Sequence, residues 1–244
     1  MGLILKHLAK DGVTQITSQA WPDAFAGVLQ TAEKFWVQNI GDRDSLNLAL
    51  SLVQAGDSDG SAMMLIGLDT ATVRPPYGLA ATLSAAGAGG LFGAIGVYEY
   101  VVTAWNATGE TQACVPVSAN VDVTTKKVTL TWQPSPNAAG YYVYRTPTPG
   151  VYGSSTRRAT INSGSSTTYV DDGSACAAGA PPPENTTAGG SPTYGTPPAL
   201  GAGPLNLGVL KIGQWACYWA NRVIPAGTAE AGNPRQSIRK FTES

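Results

Sequence analysis

Side chains able to do chemistry are scarce in this sequence. It holds one histidine, His7, and three cysteines, Cys114, Cys176 and Cys217, in 244 residues. A serine or cysteine nucleophile needs an imidazole beside it as base, so a single histidine leaves little room for such a site. Asp57-Ser58-Asp59-Gly60 has the spacing that opens a calcium loop. No glutamate closes it where such a loop needs one, and it reads as a polar hairpin turn. Asp171-Asp172-Gly173 reads likewise as the end of a strand. Paired carboxylates for glycoside hydrolysis are assembled in space rather than in sequence, and nothing local favours a pair. The expectation is a chain without enzymatic activity, metal site or cofactor.

The aromatic residues say more. Tyr141, Tyr142, Tyr144 and Tyr152 crowd one region; Trp215, Tyr218 and Trp219 crowd another. Exposed flat rings supply large contact area for stacking on a sugar or docking on a protein, whereas buried ones fill a core. Trp132 and Tyr142 read as core. Tyr144, Tyr152, Trp215 and Trp219 are the candidate docking or glycan-stacking rings, with core packing the competing reading for the two tryptophans. Cys114 and Cys176 flank one apparent module and form a candidate disulfide that leaves Cys217 free. Three buried thiols are the alternative, and the one a reducing cytoplasm favours.

What must position these residues follows from composition. Charged residues make up 13% of the chain, about half the usual share. Long surface helices need Lys, Glu and Arg on their wet face, so an α-rich fold is excluded. Glycine and proline, 29 and 17 residues, exceed the usual share of about 12% and suit a fold of strands and turns. A net charge of −1 gives no footprint for nucleic acid. The uncharged run between Arg74 and Glu99 is dominated by Gly, Ala, Ser and Thr. It lacks the roughly 20 strongly apolar residues of a membrane span and reads as a connector. Residues Met1 to Lys10 lack the basic start and apolar core of a secretory signal, which implies synthesis in the cytoplasm.

Strand signals recur along the chain. Leu46, Leu48, Leu50 and Leu52 alternate with Asn47, Ala49 and Ser51, the period of a half-buried strand. Ala62 to Leu68 has the length of another. Ala24 to Ala32 reads as a short helical turn. Further strands are expected at Tyr98–Ala104, Cys114–Ala119, Lys127–Trp132, Tyr141–Arg145 and Thr168–Val170. From Gly173 to Pro204 the only charge is Glu184, and Pro181-Pro182-Pro183 and Pro197-Pro198 stiffen a linker. Gln214–Ala220 and Gln236–Phe241 read as the last strands. In the former, Trp215, Cys217 and Trp219 share one face and Ala216, Tyr218 and Ala220 the other.

Several of these segments occur in a familiar order. Tyr98-Glu99-Tyr100-Val101-Val102-Thr103-Ala104-Trp105-Asn106 is followed by Gly109-Glu110-Thr111, Val128-Thr129-Leu130-Thr131-Trp132 and Ala139-Gly140-Tyr141-Tyr142-Val143-Tyr144-Arg145. Thr168-Tyr169-Val170-Asp171-Asp172-Gly173 and Pro182-Pro183-Glu184-Asn185-Thr186-Thr187 close the set. Together they resemble the fibronectin type III modules of bacteriophage tail proteins. The strand carrying Tyr100, which normally ends such a module, here precedes the strand carrying Trp132. Two partial modules in series, or one circularly permuted sandwich, would give that order; the strand count suffices for one. Phe35-Trp36-Val37-Gln38-Asn39-Ile40-Gly41-Asp42, Val223-Ile224-Pro225-Ala226-Gly227-Thr228 and Gly232-Asn233-Pro234-Arg235 look like phage tail or baseplate sandwich sequences.

The expected fold is therefore all-β, with two antiparallel β-sandwiches of immunoglobulin/fibronectin type III type, one inserted in a loop of the other. Residues 1–27 would be an N-terminal arm. Residues 28–90 would hold the first part of sandwich 1 and the Gly/Ala-rich connector, and 91–188 the permuted sandwich 2. Residues 189–204 would be linker, and 205–244 would complete sandwich 1. The resemblance implies a non-enzymatic structural component of a phage virion, at the tail tip, baseplate or fibre attachment. Its partners would be other virion proteins, further copies of itself in a symmetric assembly, and a host surface glycan. Nucleic acid and membrane insertion are not expected. A capsid decoration protein and a carbohydrate-binding adhesin or accessory module are the alternatives.

Overall fold

The computed structural model describes residues 2–9, 14–16, 33–55, 64–87, 89–187, 204–222 and 236–243. The expected helical turn at 24–32 and the Asp57–Gly60 turn lie outside them. The described residues form strands and no helix. In chain order these are β1 (Leu5–Leu8), β2 (Glu33–Asn39), β3 (Asn47–Ala55), β4 (Met64–Leu68) and β5 (Tyr77–Ser84). Then come β6 (Gly96–Asn106), β7 (Gly109–Glu110), β8 (Val117–Val121), β9 (Lys127–Gln133) and β10 (Gly140–Thr146). The last are β11 (Arg157–Ile161), β12 (Thr168–Asp171), β13 (Leu205–Val209), β14 (Trp215–Arg222) and β15 (Gln236–Glu243). All their pairings are antiparallel. The chain divides into two compact units, one of residues 1–70 with 189–244, the other of residues 71–188.

The first unit has a four-stranded sheet, β1-β2-β14-β4, and a three-stranded sheet, β13-β3-β15. Period-two alternation builds the core between them. Phe35 and Val37 from β2 and Ala216, Tyr218 and Ala220 from β14 bury with Leu48 and Leu50 from β3. The other face of the four-stranded sheet carries a second cluster of Leu8, Trp36, Trp215 and Cys217. The face assignment read from the sequence of β14 therefore holds, but both faces are buried. Residues 5–8 are not part of a free arm: β1 pairs with β2 from Leu5↔Asn39 to Leu8↔Trp36. Leu8 is wholly buried, and the short mixed stretch around it carries too little periodicity to announce a strand.

The second unit is a sandwich of a five-stranded sheet, β11-β10-β6-β7 with β8 also on β6, and a three-stranded sheet, β12-β9-β5. Tyr100 and Val102 from β6 and Tyr141 and Val143 from β10 meet Val128, Leu130 and Trp132 from β9 in one core. Trp132 stands edge-on to Tyr141, ring centroids 5.4 Å apart, a favourable aromatic geometry. The uncharged run expected to be a connector contains β5, which pairs with β9 from Tyr77↔Gln133 to Ser84↔Lys127. The unit thus opens at Ala71, not at residue 91. In β5 only Leu79 and Ala81 pack on the core; so small a buried face, amid alanine and glycine, hides the strand from pattern reading.

The candidate Cys114–Cys176 bridge is absent: all three cysteines are free thiols. Cys114 points into the core, where its Sγ accepts the Val102 N–H at 3.2 Å and faces the Val115 carbonyl at 3.4 Å. Cys176 lies against the Arg145 carbonyl. The two sulfurs have different partners.

Candidate binding site

Register decides which aromatic side chains reach solvent in the second unit. Residues paired across antiparallel strands share a face. Gly140↔Trp105, Tyr142↔Thr103 and Tyr144↔Val101 therefore lie together on the outer face of the five-stranded sheet. Glu110, paired with Trp105, joins them. Tyr141, Val143 and Arg145 turn inward. Tyr142, read from the sequence as core, lies on this face, half-buried and packed against the core cluster.

At the end of this face Trp105 and Tyr142 stack, centroids 5.8 Å apart and planes 24° from parallel. Gly140 makes this possible. A Cβ there would sit 2.7 Å from Trp105 Cζ2 and 2.8 Å from Cε2, so the indole lies directly over the glycine. The Asn106–Gly109 turn closes one side. Asn106 Oδ1 accepts from the Thr108 N–H at 2.9 Å, the Thr108 hydroxyl at 2.7 Å and the Gly109 N–H at 3.1 Å, fixing the turn from within. Opposite runs the segment after β12. The Thr186 N–H donates to the Glu110 carbonyl at 2.8 Å, and the Glu110 N–H donates to Thr186 Oγ1 at 2.9 Å. A side chain on Gly109 would strike Thr186 backbone and hydroxyl, which is why the closest approach falls at a glycine. The result is a shallow cleft of about 380 Å³ lined by Trp105, the 106–109 turn, Glu110, Tyr142, Pro182 and Thr186.

Glu110 is the charged group of this lining. Its Oε1 accepts from the Thr103 hydroxyl at 2.6 Å and from the Tyr144 hydroxyl at 2.7 Å. Partial burial raises the carboxyl above its ordinary value; those two hydrogen bonds and Arg157 oppose the rise. The Arg157 guanidinium stands 5.1 Å from the Tyr142 ring centroid. Trp105 Nε1 is buried without an acceptor among the described residues, as are the indole nitrogens of Trp132 and Trp215.

The rings singled out from the sequence are elsewhere. Tyr144 is 1% exposed and holds Glu110, so it supports the cleft from below and offers no stacking face. Tyr152 is half-buried with its hydroxyl on Glu99 Oε1 at 3.0 Å. Trp215 is buried edge-on to Trp36. Trp219 is half-buried beneath the Lys34 ammonium, 4.9 Å from the ring centroid. None of the four forms an open platform within its own unit. Trp105 was missed as a site residue. Its signal was a tryptophan at the end of a long strand, paired with a glycine that only the register reveals.

Other chemistry-bearing groups are engaged in packing. His7 Nε2 is 2.6 Å from the Tyr218 hydroxyl, among Phe35, Tyr218 and Phe241 rings. Asp171 and Asp172 are bound by Arg145 and Arg158. Among the described residues no group of three or more His, Cys, Asp or Glu side chains could hold a metal ion, and no helix is long and apolar enough to cross a membrane. Fold and site together define an all-β chain of two antiparallel sandwich units with a stacked-aromatic cleft on one of them. No family model matches the sequence, and neither a curated protein nor a solved structure matches it.

Proposed function

We propose that this chain is a non-enzymatic structural component of a phage virion, carried at the tail tip, baseplate or fibre attachment in several copies. The unit built from both ends of the chain docks in the particle. The unit of residues 71–188 is presented for contact with the host surface or with neighbouring virion proteins. The observation that supports this reading is the possession of two separate sandwich cores, one assembled from residues on both sides of the other. Such a build leaves each unit its own core, so one can be anchored while the other makes contacts. The ordered resemblance to phage tail modules supplies the particle.

Immunogold labelling of intact particles of the encoding phage, with serum raised against residues 71–188, tests it. Label at the tail tip is the expected result. Label over the head would instead make the chain a decoration protein. No label, with the chain also missing from denatured particles, would overturn the virion reading.

A further inference from the structure

We propose that the cleft between the Asn106–Gly109 turn and Pro182 is a saccharide site that takes one neutral hexopyranose ring against the Trp105–Tyr142 pair. The inference rests on the chemistry of the cleft and goes beyond particle assembly: it holds whether or not the chain is carried on a virion.

A pyranose has a face of C–H groups and an edge of hydroxyls. Aromatic faces are electronegative, so they attract the C–H face. The hydroxyl edge needs donors and acceptors side by side. Both requirements are met here. Trp105 and Tyr142 are half-buried rings in the wall of an open cleft. On the rim, Asn106 spends its Oδ1 on the turn and Glu110 spends Oε1 on Thr103 and Tyr144. The Asn106 Nδ2 group and Glu110 Oε2 remain unspent among the described residues. One free donor beside one free acceptor suits a vicinal diol, in which each hydroxyl can both give and take.

The walls are also fixed in advance. The turn is closed by Asn106, the opposite wall by the paired hydrogen bonds of Glu110 and Thr186, and the floor by Tyr144 under Glu110. A preformed site loses little conformational freedom on binding. The charged residue in the lining is an acid, which selects against acidic sugars, and the nearby Arg157 guanidinium is occupied by the Tyr142 ring. A volume near the bottom of the usual range of about 300–1,000 Å³ for ligand sites fits a small ring system. It does not fit an extended peptide, although proline-rich peptides also favour aromatic grooves. The chain's own Pro182 already stands at the end where such a peptide would have to continue.

Saturation-transfer difference NMR on the full chain tests this, with cellobiose, chitobiose, maltose and lactose as separate probes. Transfer to the ring C–H protons of at least one is expected. That transfer is lost in Trp105→Ala and in Ala107→Arg. Ala107 is exposed on the turn, so its arginine fills the cleft while the melting temperature stays at the wild-type value. Should Trp105→Ala fail to fold, Ala107→Arg decides alone. No transfer to any of the four sugars overturns the proposal. So does transfer that survives Ala107→Arg, which places the contact elsewhere. Transfer to a Pro-Pro-Pro-Glu peptide that is sensitive to Ala107→Arg, with none to the sugars, would make the cleft a peptide groove and overturn it too.

Discussion

Arg145 and Asp171 form a two-pronged ion pair inside the 71–188 unit. Arg145 Nη1 donates to Asp171 Oδ1 at 3.0 Å and to Oδ2 at 2.8 Å, and Asp171 is wholly buried. Arg145 belongs to β10 of the five-stranded sheet and Asp171 to β12 of the three-stranded one, so the pair ties the two sheets across the interior. Arg158 Nε adds a contact to Oδ1 at 2.6 Å and its Nη2 reaches Asp172 at 2.6 Å. The Tyr100 hydroxyl donates to Oδ2 at 2.8 Å, and the Gly173 N–H to Oδ1 at 3.0 Å. Two guanidiniums and two carboxylates balance in charge. Arg145 is further held by the Ser174 carbonyl at 2.7 Å and by the Phe92 and Tyr98 rings.

Removing Asp171 leaves two largely buried guanidiniums facing the single carboxylate of Asp172, and a stranded buried charge costs about 3–5 kcal/mol. Asp171→Asn is therefore expected to lower the stability of the 71–188 unit by about that much in urea unfolding. The double substitution Arg145→Met, Asp171→Leu removes the pair and the orphan charge together, and is expected to recover part of the loss. A double variant less stable than Asp171→Asn would show that the pair itself, rather than the stranded guanidinium, carries the energy.

Alternation made β3, β6, β9 and β14 readable from the sequence, because period two is a strong signal, while β10 was legible as an aromatic run after the 134–140 turn. It failed at β1 and β5. β1 is four residues at a sheet edge, and β5 packs only Leu79 and Ala81, each partly buried, on the core amid alanine and glycine. The site was less legible than the fold. Alternation shows that Tyr142 and Tyr144 share a face but not how deeply each is covered: Tyr144 is buried and Tyr142 half-buried. The cleft depends on which residue of β6 lies opposite Gly140 and on the return of residues 182–186 to the turn, both long-range facts. The ion pair was equally hidden: Arg145 and Asp171 meet only when the sandwich closes, and Asp171-Asp172-Gly173 read alone is a turn.

Gly140→Ala tests the cleft's construction. The added Cβ meets the Trp105 ring and the Ile161 carbonyl, so the indole must tilt away. Overpacking of this kind costs about 1–3 kcal/mol. A lower melting temperature and a changed near-ultraviolet circular dichroism are expected, with the far-ultraviolet spectrum intact. An unchanged near-ultraviolet signal would mean that the indole does not rest on the glycine.

The thiols should differ in reactivity. Burial pushes Cys114 up to about 12, and Cys217 is wholly buried, so neither presents a thiolate to solvent. Cys176 is half-buried. Intact mass after iodoacetamide treatment of the native protein is expected to show one adduct, on Cys176. Full unfolding before alkylation should give three without prior reduction. Only one adduct under those unfolding conditions would mean that two cysteines are bridged.

His7 makes the first unit sensitive to acid. Burial, with Arg239 as a second cause, lowers its pKa to about 4 from the ordinary 6.5. The folded state thus prefers the neutral ring, and the unfolded state takes the proton first. Stability from this residue is complete above pH 6.5 and falls as pH drops toward 4, where the folded form also protonates. The slope is at most about 1.4 kcal/mol per pH unit, and less because solvent reaches part of the ring. Carboxylates titrate in the same range, so the wild-type curve is compared with that of His7→Leu, in which this slope should vanish. Because the chain has a single histidine, its imidazole proton resonances follow the group directly. A midpoint near 4 is expected, and one near 6.5 would show that neither the ring's burial nor the Arg239 charge governs its protonation.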